Sequence, residues 1–140
     1  MRSKVVWKGN MAFTGTADGT YLIPLDAKPQ AGGHDLGFQP LQLLAIGLAG
    51  CTAMDVISIL VKKRQAVTAF EVSAEIERAD EHPKVFTKIL LHYKVTGKNI
   101  DEGAVARSVE LSETKYCGAQ AMLQKTAEIT HRITVIQAED

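Results

Sequence analysis

The chain contains two cysteines, Cys51 and Cys117. Cys51 lies inside LQLLAIGLAGCTAMDVISIL, Leu41 to Leu60, and the carboxylate of Asp55 comes one helical turn later. A thiol is a nucleophile or a metal ligand only as the thiolate, and apolar surroundings disfavour that form. A reactive Cys51 therefore requires a cation nearby, and Arg64, Arg107, Arg132 and the lysines are the sources, from this chain or a second one. The plainer expectation for Asp55 is a buried carboxylate bonded to a backbone amide or an arginine. Cys117 comes after SETKY at the expected start of a helix, where the amide ends and Lys115 favour a thiolate. On local grounds Cys117 is the more acidic of the two. Both also have a simpler expectation as small buried hydrophobes.

Other chemistries find less support. His34, His82, His92 and His131 are scattered, and no His-x-x-x-His or Cys-x-x-Cys spacing points to a metal centre, so no metal and no cofactor are expected. A Gly-x-Ser-x-Gly elbow and the glycine motifs of phosphate and dinucleotide sites are missing from the sequence. Lysine plus arginine number 16 and aspartate plus glutamate 16, so no net field recruits nucleic acid or an anionic membrane. MRSKVVWKGNMAF lacks the apolar core and cleavage site of a secretory signal, which makes the cytoplasm the expected location. Leu41–Leu60 approaches the length of a membrane span, but Gln42 and Asp55 interrupt it, and a buried helix of a globular protein is the expectation.

These residues need elements to hold them. The 140 residues fit one domain, residues 1–140. From Lys4 to Asp26, short extended runs broken at Gly9-Asn10 and Asp18-Gly19 predict a three-stranded antiparallel meander. Ala27 to Pro40 is rich in glycine and proline, and its length suggests a functional loop. Pro40 opens the long helix, and Lys62 to Arg64 places positive charge at its end. On that helix Leu44, Gly47, Leu48, Cys51, Asp55 and Ser58 share a stripe, while Gly47, Ala49, Gly50 and Ala53 allow close approach of another helix or subunit. Ala69–Asp80 and Val85–Thr96 alternate as a long hairpin, the second strand turning Val85, Thr87, Ile89, Leu91, Tyr93 and Val95 to one face. Asn99 and Glu102 resemble a capping box ahead of a helix reaching about Glu113. A second short helix runs from about Cys117 to Ala127, then a strand over Ile129–Gln137. The order βββαββααβ, with strands in antiparallel groups, predicts the α+β class.

GFQPLQLLAIGLAGCTAMDV together with ELSETKYCGAQAML resembles the OsmC/Ohr superfamily, closest to an OsmC-like branch whose cysteine helix reads Leu-Gly-Gly-Cys-Thr, here Leu48-Ala49-Gly50-Cys51-Thr52. The resemblance covers essentially the whole chain. It implies an intertwined homodimer in which antiparallel sheets wrap the central helices and the active sites lie between subunits. It also implies a two-cysteine peroxidase acting on small organic hydroperoxides in oxidative-stress defence. Cys51 would be oxidised to a sulfenic acid and Cys117 would capture it as a disulfide. A small dithiol or a lipoylated protein would be the reductant. The pattern departs from peroxidase members at two places: Leu41 and Gln42 come after Pro40 where those carry a glutamate, and FTGTADGTYLIPLD has no arginine. Two readings stay open: the thiol peroxidase, and a non-peroxidase module that binds a small apolar ligand or has another redox role at the dimer interface.

Overall fold

A computed structural model describes residues 1–139. The order is β1 (Ser3–Gly9), β2 (Ala12–Ala17), β3 (Tyr21–Leu25), α1 (Pro40–Lys62), β4 (Ala66–Arg78), β5 (Phe86–Lys98), α2 (Glu102–Leu111), α3 (Gly118–Leu123) and β6 (Glu128–Gln137). A single 3-10 turn covers Pro29–Ala31 and a π-helical turn Ser112–Tyr116. The α+β class and the βββαββααβ order expected from the sequence are those observed. The chain forms two compact units, the first over Met1–Leu44 and the second from Ala45 onward.

The first unit is the antiparallel meander β1-β2-β3. Its turns use backbone that few side chains adopt: Gly9 and Asn10 have φ of 104° and 49°, Asp18 and Gly19 of 52° and 74°. Positive φ is the left-handed region that Gly, Asn and Asp adopt most readily, which is why those residues stand at the two turns. The loop after β3 is organised by Asp26, 4% exposed. Its carboxylate accepts the Ala27 N–H at 2.7 Å, the His34 N–H at 3.3 Å and the Leu36 N–H at 3.2 Å. The structure thus gives this stretch a structural account, an acidic side chain satisfying loop amides. At the start of α1, Gln42 reaches back to accept the Gln39 N–H at 2.9 Å, one arm of a capping box.

The second unit carries the sheet β4-β5-β6. β4 and β5 pair antiparallel, as the long hairpin required. β6 pairs with β5 in parallel, where only antiparallel sheets were expected. The two helices between them supply the long crossover that a parallel pair needs, so local strand grouping could not reveal it. The inward face of β5 also differs at its start: Phe86 is buried, whereas Val85 and Thr87 are exposed. The ladder shifts between Glu77 and Arg78, and one extra residue moves the next side chain to the opposite face. From Ile89 to Val95 the expected alternation holds. At α2 the N-cap is Asp101, whose side chain accepts the Gly103 N–H, and not Asn99, which sits at φ 50°. Asp is as good an Ncap acceptor, and the left-handed Asn99 ends β5 instead.

The core of this unit is built from Leu48, Val56 and Leu60 of α1, Ile89, Leu91, Tyr93 and Val95 of β5, and Val105 and Val109 of α2. Four-residue spacing puts Leu48, Thr52, Val56 and Leu60 on one buried line of α1. This line differs from the expected stripe: Leu48 belongs to it, Cys51 and Asp55 lie beside it, half-buried, and Leu44 and Ser58 are exposed. The rest of α1 is half-buried or exposed despite being apolar, with Ile46, Met54 and Val61 exposed. By length and composition α1 would suffice to cross a membrane, with mean hydropathy 2.1, yet its Thr52 and Asp55 side chains are hydrogen-bonded within the unit.

Candidate active site: two thiols over a buried hydrogen-bond chain

The site forms where α1 meets the turn between α2 and α3. After Leu111 the α2 helix widens: the Cys117 N–H reaches the Ser112 carbonyl five residues back at 2.8 Å. Such a π turn inserts a residue and re-aims the side chains beyond it, and it is frequent at functional sites. Here it turns the Ser112 hydroxyl toward α1 and delivers Cys117 as the N-cap of α3, where its sulfur accepts the Gln120 N–H at 3.3 Å. Cys51 and Asp55 are on α1. The two sulfurs and an Asp55 carboxylate oxygen all lie within 4.8 Å of one another, and both cysteines are free.

Beneath the thiols runs a hydrogen-bond chain. Thr52 Oγ1 is its hub, 2.7 Å from the Tyr93 hydroxyl, 2.8 Å from Ser112 Oγ and 3.2 Å from Gln120 Nε2. Ser112 Oγ donates to Asp55 Oδ2 at 2.9 Å. A hydroxyl has one hydrogen. Since Ser112 gives its hydrogen to the carboxylate, Thr52 must donate to Ser112, and Tyr93 and the Gln120 amide then donate to Thr52. All the bonds point toward Asp55. Thr52, Tyr93, Ser112 and Gln120 are each at most 2% exposed, so every member depends on these partners for its hydrogen bonds. Burial pushes the Tyr93 phenol up to about 12, with its hydrogen bond to Thr52 opposing the rise, which keeps it a donor at neutral pH.

Cys51, Asp55 and Cys117, singled out in the sequence, are therefore brought together. The expected acidity of Cys117 is overturned: burial pushes its thiol up to about 11, with the nearby Cys51 thiol adding to the rise and the Gln120 N–H only partly opposing it. The six residues of α3 give a weak terminal field, and desolvation wins. Asp55 finds a serine hydroxyl, not an amide or arginine. Of the expected cation sources, Arg107 pairs with Glu110 at 3.1 Å, and Arg64 takes the left-handed turn after α1 at φ 57°. Among the described residues Asp55 forms no ion pair. His131 lies farther out, 3.5 Å from Glu113 and edge-on to the Tyr93 ring at 6.3 Å between centroids. A cavity of about 450 Å³ opens on Asp55, lined by Met54, Ile59, Lys62, Leu111 and Tyr116 among others. Sequence reasoning missed Thr52, Tyr93, Ser112 and Gln120. Thr52 alone left a signal, a hydroxyl on the four-residue line of Leu48, Val56 and Leu60.

The site thus combines an α+β fold, a long helix carrying one cysteine and a second cysteine after a π turn. The OsmC-like protein family model matches residues 32–132, and the chain belongs to that family. Protein YhfA of Escherichia coli (strain K12) is 38% identical over 138 residues, 99% of this chain and 100% of that protein. An OsmC-like protein from Mycoplasma pneumoniae has the same fold at TM-score 0.81 and 21% identity, over 96% of both chains. An organic hydroperoxide resistance protein OsmC from Legionella pneumophila aligns at TM-score 0.72 and 18% identity, again over 96% of both chains.

Proposed function

We propose that the protein reduces organic hydroperoxides through its thiol pair. The observation that carries this reading is the placement of two free thiols within 4.8 Å of each other beside a carboxylate. Cys51 is half-buried and Cys117 buried, so the residue that meets the substrate is Cys51 and the one held in reserve is Cys117. Cys51 sulfur takes the terminal peroxide oxygen, the O–O bond breaks, and the alcohol leaves with a proton. Cys117 sulfur then attacks the Cys51 sulfenic acid, water leaves and a disulfide forms, which an external dithiol or a lipoylated protein reduces. The Legionella protein of the same fold is named for organic hydroperoxide resistance, which agrees with this reading. The working unit is a homodimer. On the exposed flank of α1, a methyl built on Gly47 or Gly50 meets nothing within 4 Å, leaving room for a second copy's helix beside exposed Ile46, Met54 and Val61.

The test is mass spectrometry of reduced protein after one equivalent of an alkyl hydroperoxide. Loss of two hydrogens, mapped to a Cys51–Cys117 link and abolished in Cys51→Ser, is the expected result. Thiols that stay reduced for many minutes exclude it. A second reading, binding of a small apolar ligand, is favoured by a cavity of about 340 Å³ in the meander unit, lined by Val5, Tyr21, Ile23, Leu25 and Leu43 among others. It predicts a ligand-induced rise in thermal stability that survives Cys51→Ser.

A further inference from the structure

The three groups that converge at the site are also a ligand set. Two sulfurs and one carboxylate oxygen within 4.8 Å of one another surround a common point. Zinc binds sulfur at about 2.3 Å and carboxylate oxygen at about 2.0 Å, so ligand atoms on one tetrahedral ion stand roughly 3.5–3.8 Å apart. The difference from 4.8 Å is about 1 Å. The surroundings match what a metal ligand needs in its outer shell. Ser112 fixes Asp55 by bonding Oδ2, and the Gln120 N–H bonds the Cys117 sulfur. Coordination also supplies what these thiols otherwise lack: a cation lets two thiolates and a carboxylate share a partly buried site without an ion pair to a side chain.

We propose that the reduced protein binds one zinc-class divalent cation per chain through Cys51 Sγ, Cys117 Sγ and Asp55, with the fourth position open to solvent or a small ligand. Each thiol releases its proton to solvent as its sulfur–metal bond forms, and no electron is transferred. Both sulfurs are then engaged, so the metal and the disulfide exclude each other: the cation protects the thiols from oxidation, and oxidation ejects the cation. The absence of Cys-x-x-Cys and His-x-x-x-His spacing does not bear on this set, because its ligands come from two separate helices. The binding does not rest on the peroxidase reading, since it needs no peroxide.

The experiment is titration of the reduced protein with cobalt(II) as a spectroscopic substitute for zinc, then displacement with zinc. Expected are one equivalent per chain, thiolate-to-cobalt charge-transfer bands and the visible bands of a tetrahedral ion. Binding should vanish after diamide converts the thiols to a disulfide, and zinc should shield both cysteines of the unmodified protein from alkylation. Ser112→Ala, which loosens Asp55 and also takes away the acceptor of the Thr52 hydroxyl, should weaken affinity by about 10–100-fold. Asp55→Asn should weaken it further. The proposal is overturned if the reduced protein shows no saturable one-to-one binding, if the disulfide form binds equally well, or if Asp55→Asn binds as tightly as the native chain. Failure here with rapid peroxide-driven disulfide formation would leave the peroxidase reading standing, and the reverse pair of results would remove that reading alone.

Discussion

Ser112 donates its hydroxyl hydrogen to the Asp55 carboxylate at 2.9 Å across 57 residues of sequence. That one bond fixes the direction of every other bond in the buried chain. With Ser112 committed as donor, Thr52 has to donate to Ser112 and accept from Tyr93 and Gln120, so the dipoles add up toward Asp55. The same chain ties α1, β5 and α3 together at the depth of the thiols, and it holds Cys117 through the Gln120 backbone N–H.

Replacing Thr52 by valine keeps the volume but removes the hub. The Tyr93 hydroxyl and the Gln120 amide then lose a partner in a dry environment, which costs about 1–3 kcal/mol of unfolding free energy. Thr52→Ser keeps the oxygen and loses one methyl, so it should cost about 1 kcal/mol. Urea unfolding of the three proteins measures the difference. Equal stability of the valine variant and the native chain would mean that the network contributes nothing net.

The Cys117 thiol, pushed up to about 11 by burial, is almost wholly protonated at neutral pH. Thiolate reactivity should therefore climb about tenfold per pH unit between pH 7 and 10, with no plateau, since one unit of pH is one factor of ten in thiolate below the pKa. Peptide-resolved alkylation rates in the presence of a chelator report this directly. A plateau below pH 9 at Cys117 would show that a neighbouring group offsets its burial.

If Cys117 resolves the sulfenic acid of Cys51, removing it should leave the first oxidation intact and block the second. Cys117→Ser should consume one equivalent of alkyl hydroperoxide per chain in a first phase without turning over, and excess peroxide should then drive Cys51 to the sulfinic acid at the cost of a second equivalent. Mass spectrometry distinguishes the states by successive additions of oxygen. A variant that keeps turning over would assign resolution to another thiol, supplied by the reductant.

Much of this architecture was legible because its signals are local. Alternation in Phe70, Val72, Ala74 and Ile76, the Asp18-Gly19 turn and the long apolar run after Pro40 each specify an element without reference to the rest of the chain. The features hidden from a sequence reading depend on distant partners. The parallel pairing of β6 with β5 arises from a crossover, the face of Phe86 from an extra residue in one strand, and the acidity of Cys117 from burial by residues far from it in sequence. Cys51 and Cys117 stood out by type, whereas Ser112, Tyr93 and Gln120 look like ordinary surface, strand and helix residues until the fold brings them to Thr52.

Asp26 provides a separate test in the meander unit. The Ala27 N–H does most to lower its pKa below the usual 3.8; burial pushes the other way, and the Leu36 and His34 amides and the His34 charge lower it further. A folded pKa below the unfolded one means that the carboxylate's contribution is complete above pH 3.8 and is lost as pH falls through the lower, folded value. Asp26→Asn should lower the melting temperature at pH 7, because an amide nitrogen replaces one acceptor facing the His34 and Leu36 N–H groups. Below the folded pKa the native carboxyl is neutral as well, so the gap between the two melting curves should narrow with acid. Parallel curves from pH 7 down to pH 2 would show that the loop does not depend on the charge of Asp26.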